Sequence, residues 1–135
     1  MNAKTFKLEI TVPAEAIDGL GHVNNVVYVQ WVQDVAEAHW QHNSTDEMLQ
    51  KYAWVALENH MKYFAPAFEG EKIIAETWVQ KFEGVRSIRE VEIYRVSDGK
   101  KLASSVTNWC LLDMQTRKPL RIPDDFAAYY EEVNK

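Results

Sequence analysis

A chain of 135 residues, 47% hydrophobic and with a formal net charge of -5, has material for one domain with a real core but not for two. The acidic balance argues against general nucleic-acid binding, which wants a basic face, yet a local Arg and Lys cluster can still hold an anion. The single cysteine, Cys110, excludes an internal disulfide and a cysteine-cluster metal site.

In chain order, Phe6 to Val12 alternates Phe6, Leu8, Ile10 and Val12 against Lys7, Glu9 and Thr11, which predicts a half-buried strand. Residues 1–13 hold no uninterrupted apolar run of the kind a secretory signal needs. Nothing later is long enough to span a bilayer, so a soluble, cytoplasmic protein with no membrane partner is expected. The turn of Pro13 to Gly21 leads into a helix from Asn24 to about Trp40. There Val27, Trp31 and Val35 recur at helical spacing, flanked by Tyr28, Val32 and Ala36. Its apolar stripe is wide for a surface helix, which predicts enclosure. Ser44 or Thr45 caps a short second helix through Gln50.

Strands follow over Ala53 to Phe64, Glu71 to Phe82, Ser87 to Val96 and Lys101 to Leu112. Ser97-Asp98-Gly99-Lys100 is a strong hairpin turn. Pro123, Asp124 and Asp125 open a C-terminal helix with Phe126, Tyr129, Tyr130 and Val133 on one side. No repeat or linker divides residues 1–135. The order predicts an α+β domain of two layers, in which a curved five-stranded antiparallel sheet curls around one long helix.

Chemistry concentrates in Asp18-Gly19-Leu20-Gly21-His22-Val23-Asn24-Asn25-Val26-Val27-Tyr28. A lone carboxylate sits in a glycine-bracketed turn ahead of a helix, and Asn24 or Asn25 is a good N-cap. First-turn N–H groups then point back toward Asp18 and favour negative charge beside them. A base or nucleophile next to such donors suits acyl transfer.

This segment resembles the hotdog-fold acyl-thioesterases, of the 4-hydroxybenzoyl-CoA thioesterase type and the related acyl-ACP thioesterases. Tyr63 to Glu71, Ser97 to Ser104, Trp109 to Asp113 and Arg117 to Pro123 extend the likeness along almost the whole chain. The resemblance implies a hotdog fold and a homodimer joined sheet edge to sheet edge with active sites in the subunit interface; covering an exposed sheet or helix face would pair dimers again, so a homodimer or a homotetramer is expected. It implies that Asp18 is the catalytic carboxylate and that the backbone N–H near Asn25 polarises the thioester carbonyl. It further implies a substrate that is an acyl-CoA or acyl carrier protein thioester. No cofactor is then needed, since coenzyme A or phosphopantetheine belongs to the substrate. The chain departs from many relatives at Gln33, where they carry Glu, and at Ala16, where they carry Asp.

Each residue also has a plainer reading. Asp18 can attack the thioester, activate water, or only close an Asx turn. His22 orients Asp18 or is a satisfied loop histidine, and the residues leave both open. Asn24 caps the helix or binds the carbonyl. Tyr28 and Trp31 would line the substrate cleft. Arg86, Arg89 and Arg95 with Lys81 cluster on the third and fourth strands, where interleaved Glu83, Glu90 and Glu92 favour surface pairing. Arg86 and Ser87 are the pair expected to hold a phosphate, if one is held there. Glu58 is expected on a solvated face and Cys110 in the core. His39 and His42 lack a third ligand, so no metal is expected. The expected activity is hydrolysis of an acyl thioester to a carboxylic acid and free thiol. A non-catalytic acyl-thioester-binding protein and a 3-hydroxyacyl dehydratase on the same fold are the alternatives.

Overall fold

A computed structural model describes residues 4–131. Strand β1 (Phe6–Thr11) is followed by a 3-10 turn (Ala14–Ala16), helix α1 (Asn25–Asn43) and helix α2 (Asp46–Lys51). Strands β2 (Tyr52–Tyr63), β3 (Lys72–Glu83), β4 (Arg86–Arg95) and β5 (Lys101–Asp113) precede helix α3 (Phe126–Tyr130). The strands form one antiparallel sheet in the order β1-β3-β4-β5-β2.

Two turns set the β3-β4-β5 meander. Gly84, at φ 63°, stands in the short β3–β4 connection. Gly99, at φ 67°, closes the β4–β5 turn, where the Asp98 carboxylate accepts from the Lys100 N–H at 3.0 Å. Both glycines take a left-handed conformation that a side chain disfavours. The segment between β2 and β3 is no hairpin, because it carries the chain from one edge of the sheet to the other side of β4 and β5.

Alternation puts Ile73, Ala75, Thr77 and Val79 of β3 on the buried face, with Ser87, Arg89, Val91 and Ile93 of β4. Helix α1 covers that face: its Tyr28, Trp31, Val32 and Val35 share a core with Ile73, Ala75, Val91, Ile93, Leu102 and Ala103. Each fully buried Ile, Val or Leu among them contributes about 1.5–3 kcal/mol. A second cluster gathers Trp40 at the far end of α1 with Val79, Leu111, Ile122, Phe126 and Tyr130.

The expected fold class is corrected in two respects. The sheet does not curl round a single long central helix: it is open, with β1 and β2 at separate edges and not paired to each other. Five strands at the usual twist do not bring their outer edges together. Among the described residues there are three α-helices, not one. Apolar periodicity made α1 conspicuous, whereas α2 buries no residue and α3 is barely more than a turn. Within α3, Phe126 and Tyr130 are buried but Tyr129 is exposed. Val133 lies outside the described residues.

Candidate active site

The turn ahead of α1 is tied by its own backbone. The Asp18 N–H donates to the His22 carbonyl at 3.0 Å, and the Gly21 N–H donates back to the Asp18 carbonyl at 3.1 Å. Gly21 sits at φ 85°, in the left-handed region. The Leu20 N–H donates to Asp18 Oδ1 at 2.8 Å, so the side chain does close an Asx turn. That bond engages one carboxylate oxygen and fixes the rotamer of a side chain that stays 23% exposed. The His22 ring stands at its edge, with Nδ1 3.9 Å from Asp18 Oδ1 and 3.3 Å from the Val23 carbonyl.

Asn24 is the N-cap, and its side chain accepts from the Val26 N–H at 2.9 Å. The Val27 N–H goes to the Asn24 carbonyl at 2.9 Å. Asn25 is the first helical residue, and its N–H has no bonding partner among the described residues. An orphan donor at a helix start is suited to oxygen that gains negative charge. The Tyr63 hydroxyl donates to the Asn25 carbonyl at 3.3 Å, which ties the end of β2 to the start of α1. Tyr28 and Trp31 lie in the core, with rings 5.4 Å apart and edge to face. Burial pushes the Tyr28 hydroxyl above its ordinary pKa.

The Arg86–Ser87 pair is split by the strand. Arg86 is exposed, while Ser87 is buried on the face toward α1. Ser87 lines a cavity of about 250 Å³ between the C-terminal half of α1 and the sheet. Gln33 and Glu37 are exposed residues of its wall. Trp40, Trp54, Phe82, Trp109 and Tyr130 supply aromatic surface.

Arg89 also lines this cavity and is the residue that the sequence reading placed among surface pairs. It is only 7% exposed, and its Nη1 donates to His39 Nδ1 at 2.9 Å and to Thr77 Oγ1 at 3.0 Å. Its neighbours in that cluster do pair with carboxylates, Lys81 on the surface and Arg95 half-buried. Lys81 meets Glu83 at 3.2 Å and Arg95 meets Glu71 at 3.1 Å. The signal for Arg89 was present in the alternation of Ser87, Arg89, Val91 and Ile93. Two aliphatic residues on that face place the other two inside. Glu58 is exposed beside His60, and Cys110 is buried in β5 with its thiol 3.6 Å from the Leu111 carbonyl.

A profile of the thioesterase-like superfamily matches residues 12–129 of the chain. The long-chain acyl-CoA thioesterase FadM of Escherichia coli (strain K12) is 22% identical, over 96% of this chain and 100% of its own. Among solved structures, Slr0204, a 1,4-dihydroxy-2-naphthoyl-CoA thioesterase from Synechocystis, superposes with a TM-score of 0.81 at 20% identity. It covers 93% of this chain and 95% of its own. A DHNA-CoA thioesterase from Staphylococcus aureus does so with a TM-score of 0.80 at 23% identity, over 93% and 88%. At these identities the structural likeness speaks to the fold.

Proposed function

The chain belongs to the thioesterase-like superfamily, and on that premise we propose that it hydrolyses an acyl thioester of coenzyme A or acyl carrier protein. One observation carries the reading: a partly exposed carboxylate, Asp18, is held by a backbone N–H just ahead of a helix start whose Asn25 N–H is unengaged.

In this reading the Asn25 N–H donates to the thioester carbonyl oxygen, which gains charge as a tetrahedral centre forms. Asp18 Oδ1 is occupied by Leu20, so the second oxygen is the reactive one. It attacks the carbonyl carbon and expels the thiolate, leaving a mixed anhydride that water opens. In the alternative route it takes a proton from the water that attacks directly. Both give a carboxylic acid and a free thiol. His22, at the edge of the carboxylate, assists by orienting it.

The reading includes a homodimer. Strand β2 is an open edge, with Val55, Leu57, Tyr63 and the adjoining Phe64 exposed. Two copies related by a twofold axis would pair β2 with β2 in antiparallel fashion. Tyr63, beside Asn25, would then approach the partner's start of β2, where Trp54 lines the cavity. Within one chain Gln33 to Trp40 lie about 12–22 Å along α1 from Asn25. Pairing of edges would therefore bring Asp18 of one copy toward the cavity of the other.

Release of free thiol from a panel of acyl-CoAs tests the assignment. Asp18→Asn keeps the shape but can neither attack nor accept a proton, so turnover should fall by about 100- to 10,000-fold in a folded protein. Near-normal turnover would overturn the reading.

A further inference from the structure

The cavity between α1 and the sheet contains a cation that thioester hydrolysis does not require. No carboxylate among the described residues pairs with Arg89, although β3 carries Glu76 and Glu83 and β4 carries Glu90 and Glu92. Its two hydrogen bonds use Nη1 alone, toward His39 and Thr77. Nε and Nη2 have no such partner among the described residues. The Tyr130 ring lies 5.9 Å from the guanidinium carbon and offsets part of the cost of burial. A buried charge without a counter-charge is strongly unfavourable, and an aliphatic residue would serve the core better.

Two further side chains inside the cavity, Ser87 and Trp109, can donate. Ser87 precedes Arg89 by two residues on the same face, and Trp109 is its partner across β4 and β5. The Trp109 indole N–H is buried without a hydrogen-bond acceptor. Trp40, Trp54 and Phe82 form the walls. A cavity of about 150 Å³ takes up benzene, so about 250 Å³ accommodates a ring and an acidic substituent. Glu37 also lines the space, but at its exposed rim, where Gln41 donates to it at 3.3 Å and solvent screens its charge.

We propose that this cavity is an acid-recognition pocket: it receives an acyl group whose far end carries a carboxylate, with Arg89 as counter-ion and Ser87 and Trp109 as further donors. The planar guanidinium suits a carboxylate through two parallel bonds, a geometry an ammonium cannot copy. Burial pulls the Arg89 pKa down to about 10, which leaves it cationic at neutral pH. The pocket rests on the thioesterase reading for its acyl ligand but not for its anion.

Calorimetric titration of the wild-type protein with benzoate and with benzamide tests the anion site without any turnover. Benzoate should bind about 10- to 100-fold more tightly, the range of a charge-assisted hydrogen bond. The monothioester of terephthalic acid with coenzyme A should show a similar advantage in kcat/KM over the same thioester with its far carboxyl made an amide. In Arg89→Met both ratios should collapse toward one, and Arg89→Lys should restore part of each. If Arg89→Met does not fold, the wild-type and Arg89→Lys ratios still decide. Equal binding of acid and amide, or an advantage that survives in Arg89→Met, overturns the proposal. If no acyl-CoA of the panel is cleaved while benzoate is still preferred, the pocket stands and the thioesterase reading falls.

Discussion

His39 carries its ring proton on Nε2, because Arg89 has only donors and aims one at Nδ1. The ring is stacked on Phe6 at 5.1 Å and met edge-on by Tyr130 at 4.9 Å. Burial, then Arg89, His42 and Lys4, pull its pKa down to about 3. An unfolded histidine titrates near 6.5. Between those values the unfolded chain binds a proton that the folded chain refuses, so stability is full above about pH 6.5 and declines as pH falls toward 3. Urea midpoints should therefore drop from pH 7 to pH 4.5, and less so in His39→Gln, which keeps an acceptor but does not titrate. An equal drop in both proteins would show that other groups set the slope. Cys110 is a core residue of β5 with no contact to the Asp18 turn among its hydrogen bonds. Cys110→Ser should cost about 1 kcal/mol of stability and retain most turnover. Abolished turnover in a folded Cys110→Ser protein would move the nucleophile from Asp18 to the thiol.

In the proposed mechanism the first turn of helix α1 serves turnover as well as stability. Asn24 holds the Val26 N–H, and that bond sets where the unengaged Asn25 N–H lies relative to Asp18. Asn24→Ala should cost about 1 kcal/mol in denaturant unfolding and lower turnover beyond what the lost folded fraction explains. A change in stability alone would make the cap purely structural. In the β4–β5 turn, a Cβ on Gly99 would meet nothing within 4 Å, so the constraint is the positive φ and not space. Gly99→Ala should destabilise by about 1–2 kcal/mol, and Gly99→Asn by less, since Asn tolerates that conformation.

Across the whole molecule, the proposed pairing at the open β2 edge makes the assembly itself a testable feature. Sedimentation at micromolar concentration should give at least a dimer, and dissociation should remove activity. Complementation gives a sharper measurement. Asp18→Asn, and Ala36→Leu, which narrows the cavity wall, should each be poor as homodimers. After mixing and exchange, about a quarter of the sites would join an intact Asp18 to an intact cavity. Activity should reappear on mixing if sites are shared between copies. Its absence in demonstrated heterodimers would confine each site to one chain.

Periodicity in the sequence was enough to locate α1, the five strands and the β4–β5 turn within a few residues, because each rests on local spacing and local turn chemistry. The Asp18 to Tyr28 run was likewise legible, since cap, glycine turn and carboxylate are contiguous. Which of Asn24 and Asn25 caps the helix, the burial of Arg89 and its meeting with His39 fifty positions away were decided only in three dimensions. So was the openness of the sheet. A charged residue between glutamates looks solvated in one dimension; it is buried here because pleating turns it inward and α1 closes over it. Edge strands stay apart because sheet closure depends on accumulated twist and strand number, which no single strand encodes.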